Sequence, residues 1–204
     1  MSLKNYSNLL DNVYNYLGFK NIEKNNDIDE LINECLKEIE SLSSFNYRYQ
    51  EFDYILDFLN KEPYLSFLNG CSGYYISVMT LGALIDNKIK YYSKTNLTKC
   101  LVFDACASAY LEYKSDEYEK TLANNLTYRF CPGYQGSSIE DIKYIFDILK
   151  PDKIGLELLE SNLMIPQKSM AGIIGIGKNI DKSCKNCILE GNCKYVKEGM
   201  KCYQ

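Results

Sequence analysis

The 204-residue sequence predicts an α+β fold: a mixed, largely antiparallel twisted sheet with flanking helices and a cysteine-rich C-terminal tail. Three observations lead there. The early part of the chain carries apolar residues at helical spacing, the later strand candidates end at glycine- or proline-bearing turns, and the interleaving of strands and helices lacks the regularity of a doubly wound sheet. No internal repeat is evident.

The first helix is expected over Asn5 to Leu17, where Leu9, Leu10, Val13 and Leu17 share a face, and Gly18 ends it. Asp27-Ile28-Asp29-Glu30 reads as an N-cap with an acidic residue three later. Behind it Ile28, Leu31, Ile32, Cys35, Leu36, Ile39 and Leu42 form a full apolar stripe. From Ser44 to Phe52, Phe45, Tyr47 and Tyr49 alternate with polar neighbours, as on a half-buried strand. Asn69 to Gly73 is turn chemistry, and Tyr74 to Leu81 follows as a buried strand that Gly82 breaks. Leu84, Ile85, Ile89 and Tyr92 mark a further helix. Another spans Leu97 to Tyr113, and its stretch Asp104-Ala105-Cys106-Ala107-Ser108-Ala109 gives it a face of small residues carrying one acid. Tyr113 to Lys120 reads as a charged connection and Thr127 to Phe130 as extended chain. Ser137 or Ser138 caps a helix over Ile139 to Leu149, and Pro151 punctuates its end. Ile154 to Leu159 and Ala171 to Ile176 are the last strand candidates.

A formal charge of −4 with pI near 5.1 argues against nucleic-acid binding, which needs a basic face. No run approaches the length of a membrane span, and the N-terminus has no signal-type apolar segment, so a cytoplasmic protein is expected. Histidine is absent. That removes Ser-His and Cys-His nucleophile pairs and histidine metal sites, and leaves carboxylates, Tyr, Lys, Arg, Cys or a bound cofactor for any chemistry.

Cys35, Cys71, Cys100, Cys106 and Cys131 stand singly in apolar or turn contexts and are expected as reduced thiols. The other four, Cys184, Cys187, Cys193 and Cys202, give C-x2-C-x5-C-x8-C. Four thiolates with a tight first pair suit a tetrahedral zinc ion or a [4Fe–4S] cluster; the alternatives are two disulfides, which a reducing compartment disfavours, and free thiols. The chain accordingly divides into a main domain, residues 1–177, and a cysteine-rich appendage, 178–204.

The stretch Tyr128 to Gly177 concentrates the backbone punctuation. Pro132-Gly133 sets a tight turn between Arg129 and Tyr134, placing a guanidinium that can fork onto a carboxylate near a phenol and exposed backbone. Those features suit a small-molecule rim, with an ordinary strand-turn-helix connection as the alternative. Gly172, Gly175 and Gly177 are not a placed dinucleotide fingerprint and read as a glycine-loosened strand.

Five motifs in fixed order resemble one family. They are Leu68-Asn69-Gly70-Cys71; Thr80-Leu81-Gly82; Phe103-Asp104-Ala105-Cys106-Ala107-Ser108-Ala109; Arg129-Phe130-Cys131-Pro132-Gly133-Tyr134; and Ile154-Gly155-Leu156 through Ser161, Pro166, Ser169 and Gly172. Over roughly Asn5 to Gly177 the chain resembles the activation domain of cobalamin-dependent methionine synthase, in the shorter stand-alone form of that domain.

The resemblance implies binding of S-adenosylmethionine (AdoMet) and contact with a cobalamin-carrying partner, a methionine synthase or another corrinoid protein. There, one electron and the methyl group return cob(II)alamin to methylcobalamin, with a flavodoxin- or ferredoxin-type donor supplying the electron. It implies that Arg129 takes the methionyl carboxylate, that Cys131, Pro132 and Gly133 lend backbone groups, and that Tyr134 faces the corrinoid. Asp104 and Ser108 would line the pocket, Ser108 standing where long forms carry an acid, and Glu160 and Ser161 would support it. The second reading is a docking or electron-delivery module without AdoMet binding.

Overall fold

The computed structural model describes residues 7–18 and 26–177; the tail cysteines Cys184, Cys187, Cys193 and Cys202 lie outside the described residues. Within them, six helices and five strands follow in order: α1 Ser7–Leu17, α2 Asn26–Leu42, β1 Asn46–Phe52, α3 Tyr64–Leu68, β2 Gly73–Thr80, α4 Ala83–Thr95, α5 Leu97–Glu119, α6 Ile142–Leu149, β3 Glu157–Leu158, β4 Met164–Ile165 and β5 Ser169–Ile176. The expected α+β class holds. The sheet is three-stranded and antiparallel in the order β1-β2-β5, and β3 and β4 form a separate hairpin.

α5 is the axis of the helical layer. Most of its faces are buried, through Val102, Phe103, Ala105, Cys106, Ala107, Ala109, Tyr110 and Leu111, so it behaves as a core helix and not a surface one. The alanines let α1, α2 and α4 close on it, burying Leu9 and Val13, Ile32 and Ile39, and Ile85. Charges tie the same layer together: Glu38 of α2 takes Lys88 of α4 at 2.7 Å and Tyr92 of α4 at 2.7 Å, and lies 3.6 Å from Lys99 of α5. Cys35 and Cys106 meet thiol to thiol between α2 and α5, and the hydrogen bond that Cys106 donates to Cys35, with burial, pushes the Cys106 thiol up.

The sheet has two different faces, as the period-two alternation requires. Tyr74, Ile76 and Val78 of β2 with Ala171 and Ile173 of β5 bury against α3 and α6, around Tyr64, Phe67 and Phe130. The opposite face carries Tyr49, Ser77 and Gly172 in register across the three strands, with Tyr47, Met79 and Met170 as the next row, and looks towards α5.

Several expectations are corrected. The charged stretch after Tyr113 is helix, not connection: α5 runs to Glu119, because Ser115 and Glu119 are buried and Tyr118 stacks on Tyr47. α2 starts at Asn26, so Asp27 and Asp29 sit in its first turn, where the helix dipole favours acids, and not before it. The expected helix from Ile139 begins as a 3₁₀ turn, Ile139–Asp141, that Ser138 caps by accepting from the Glu140 N–H. Ile154 to Leu159 shrinks to the two-residue β3, since Pro151–Ile154 coils into a 3₁₀ turn. α3, β4 and the 3₁₀ turn Asp57–Leu59 were not expected, being too short to show periodicity. Residues 126–130 are extended but meet β5 only through bridges Leu126↔Ile176 and Phe130↔Ile173. The edge segment holds one residue more than its partner between the two bridges, a bulge at which Gly175 N–H donates to Thr127 Oγ1 (2.8 Å). Among the described residues no helix is long and apolar enough to cross a membrane.

Candidate functional site

The bulged edge segment decides where Arg129 goes. Phe130 is locked by two backbone hydrogen bonds to Ile173, at 2.8 and 2.9 Å, and turns its ring into the α3/α6 core. Arg129, one residue earlier, therefore turns to the other face, over Gly172 and towards α5. A Cβ at Gly172 would stand 2.5 Å from Arg129 Cγ, so glycine makes room for the arginine stem.

The guanidinium ends between two carboxylates of α5. Nη1 donates to Glu119 in a very short contact, and Nη2 to Asp116 Oδ1 at 3.3 Å. The Arg129 side chain is 5% exposed, Glu119 10% and Asp116 49%, so the pair with Glu119 is enclosed and the one with Asp116 is open to water. One turn earlier on the same helix face is Ser115, fully buried, whose hydroxyl has no hydrogen-bond partner among the described residues. Tyr118 lies beside this cluster with its ring centroid 3.6 Å from that of Tyr47, and Tyr49 adds a second ring at 6.0 Å. Burial beside Tyr47 and Tyr49 pushes the Tyr118 phenol up.

After Phe130 the chain makes the expected turn. Tyr134 N–H donates to Cys131 O at 3.3 Å across Pro132 and Gly133, and Gly133 has φ +89°, the requirement of a type II turn. Ser137 braces it: its hydroxyl donates to Tyr134 O (2.8 Å) and accepts from Gly133 N–H (3.1 Å). The turn does not bring Arg129 and Tyr134 together. Arg129 is enclosed, while Tyr134 is 70% exposed.

Asp104 and Ser108 form a second cluster on α5 around a residue the sequence did not single out. Lys168, at the entry to β5, reaches Asp104 Oδ1 at 2.9 Å and Ser108 Oγ at 2.8 Å. Its own position is fixed by Leu81 N–H donating to Lys168 O (2.9 Å) and by Asp86 accepting from the Gln167 N–H at 2.5 Å. Ser108 and Glu119 are eleven residues apart on one helix, about 16 Å along the axis at the α-helical rise. The clusters are thus two stations on one face of α5. Glu160 and Ser161 are elsewhere, exposed in the β3–β4 hairpin turn that Asn162 N–H closes onto Leu159 O.

Sequence reasoning missed Glu119, Asp116 and Lys168. The first two lay in a stretch read as a connection, where only their helical spacing on an extended α5 could have marked them. Lys168 carried no signal of its own. Among the described residues no group of three or more cysteine, aspartate or glutamate side chains is placed to hold a metal ion.

No protein-family model matches the chain, and no curated protein matches it in sequence. Among solved structures, a crystal structure of the MetH reactivation domain bound to AdoHcy is similar, with a TM-score of 0.61 at 15% sequence identity. The likeness covers 90% of this chain and 78% of that one. The protein has the fold of that reactivation domain.

Proposed function

We propose that the protein is an activation subunit that binds AdoMet and supports reductive remethylation of cob(II)alamin on a partner methionine synthase or other corrinoid protein. The observation that carries this reading is the enclosed Arg129 beside the Cys131–Tyr134 turn, in a fold shared with a domain whose structure holds AdoHcy. Arg129 already holds a carboxylate, that of Glu119, so its donor geometry and surroundings fit the carboxylate of an amino-acid ligand. Cys131, Pro132 and Gly133 would lend backbone groups, with Asp104, Ser108 and Lys168 at the far station.

AdoMet supplies the methyl group and the partner's cobalamin receives it; this chain's residues bind and orient. Arg129 fixes the carboxylate, the type II turn fixes the backbone beside it, and the exposed Tyr134 offers a ring to the corrinoid face. Glu160 and Ser161, at a hairpin turn, are assigned to support or docking. A flavodoxin- or ferredoxin-type donor would supply the electron. Cys184, Cys187, Cys193 and Cys202 would hold zinc or an iron–sulfur cluster, which metal analysis of anaerobically purified protein tests.

The same ion pair also favours a second reading, a docking or electron-delivery module without AdoMet binding, because Glu119 and Asp116 fill the outer nitrogens of Arg129. Calorimetric titration of AdoMet into wild type, Arg129→Lys and Arg129→Ala decides between the two. The activation reading expects binding that weakens about tenfold to a hundredfold in the variants, the loss of a charge-assisted fork. Wild-type protein that binds neither AdoMet nor AdoHcy, with or without a corrinoid protein present, leaves the docking module.

A further inference from the structure

We propose that Glu119 is a built-in occupant of the ligand's anchoring site, so that an amino-acid ligand enters by exchanging its carboxylate for that of Glu119. This rests on the reading that Arg129 anchors such a carboxylate. In the structure Nη1 of Arg129 donates to Glu119 and Nη2 to Asp116. With the guanidinium side chain 5% exposed, a second carboxylate cannot fork onto it while Glu119 stays.

Arg129 is not the partner that moves. Its stem is seated on Gly172, and the adjoining Phe130 is paired to Ile173 through both its N–H and its C=O. Glu119 is the better candidate to leave. It is the last residue of α5, where the helix dipole opposes a negative side chain, and its carboxylate has no other hydrogen-bond partner among the described residues. Past it the backbone turns at once, with Thr121 N–H on Tyr118 O and Leu122 N–H on Glu119 O, both 2.9 Å. The exchange trades one ion pair for another, so affinity for a carboxylate-bearing ligand is set by the difference between two similar interactions. An adenosyl ligand without the carboxylate gains nothing from displacing Glu119.

The test is a calorimetric titration of the full chain, wild type and Glu119→Gln, with AdoHcy, AdoMet and 5′-methylthioadenosine, which keeps the adenosyl thioether but lacks the amino-acid group. Glu119→Gln should tighten AdoHcy and AdoMet about tenfold, the removal of one charged competitor, and leave 5′-methylthioadenosine within about twofold. Glu119→Asp keeps the charge with one methylene less and should fall between, which separates loss of charge from loss of fold. Unchanged or weaker AdoHcy binding by Glu119→Gln, or equal tightening of all three ligands, overturns the exchange. If wild type binds AdoMet and Glu119→Gln shows no preference for the carboxylate ligands, only the exchange fails. If neither protein binds any of the three, the AdoMet reading fails and takes the exchange with it.

Discussion

Gly172 and Arg129 fit together as floor and beam: the arginine stem crosses the glycine on β5, where a Cβ would lie 2.5 Å from Cγ and 3.0 Å from Cδ. Because Phe130 O is a further 3.0 Å neighbour and belongs to a paired backbone, only the arginine can give way. Gly172→Ala should therefore dislodge the guanidinium from Glu119 and cost about 1–3 kcal/mol, the range of overpacking a filled site. Urea unfolding reads the stability loss, and AdoHcy titration of the same variant should show weaker binding. A variant as stable as wild type with unchanged affinity would show that Arg129 does not depend on this floor.

Gly133 and Gly136 make a matched pair within one connection. Both have positive φ, +89° and +87°, but a Cβ at Gly133 would meet Ile139 Cδ1 at 2.8 Å, whereas one at Gly136 meets nothing within 4 Å. Gly136→Ala should cost about 1 kcal/mol, the left-handed backbone alone, and Gly133→Ala distinctly more. Equal urea midpoints for the two variants would contradict the type II turn packed on Ile139.

Asp141 is 2% exposed and its two oxygens are both satisfied: Tyr64 OH donates to Oδ2 and Lys61 Nζ to Oδ1, each at 2.9 Å. Tyr64→Phe leaves half of a buried carboxylate unsatisfied, a loss of about 1.5–3 kcal/mol. Lys61→Met should cost less, its side chain being 47% exposed and partly screened. Chemical denaturation of the two variants checks the order.

Stability should fall at both pH extremes for identifiable reasons. Burial, then the 2.5 Å hydrogen bond to Asp29, raises Tyr14 from 10.0 to about 12, and burial first also raises Tyr64 and Tyr92. The folded state keeps these protons after the unfolded chain has lost its own, so their contribution is whole below pH 10 and is lost as pH rises above it; for Tyr14 the loss runs from 10 through about 12. Glu38 has the opposite sign. Burial works to raise it, but hydrogen bonds from Lys88 and Tyr92 outweigh that and leave it below its ordinary value of 4.5. Its contribution is present above that value and disappears as pH falls through the folded-state value. Urea-unfolding free energies from pH 3 to 12 should show both limbs, with Tyr14→Phe shallower on the alkaline side.

Much of the fold was legible because its long elements bury one face. The stripe from Ile28 to Leu42 and the run Tyr74 to Thr80 follow helix and strand periods over enough residues to stand out, and both formed. α3, β3 and β4 are two to five residues long and exist because neighbours hold them. The end of α5 was misread for a related reason. Asp116, Glu117 and Glu119 look like a solvated run, and only the sheet opposite, with Tyr47 and Arg129, turns that last stretch into a buried face.

By itself the sequence determined the α+β class, a tight turn at Pro132-Gly133 and the motif in which Arg129 sits, since backbone restriction and hydrophobic period are local properties of the chain. Tertiary structure alone decided what Arg129 touches. A one-residue bulge against β5 sets which face the side chain takes, Gly172 gives it room, and Glu119 arrives on a helix ten residues away in sequence. Ion pairing falls off with distance in space and is blind to separation along the chain. The partner that matters most to this site was therefore written in a stretch that, read in isolation, carried no sign of it.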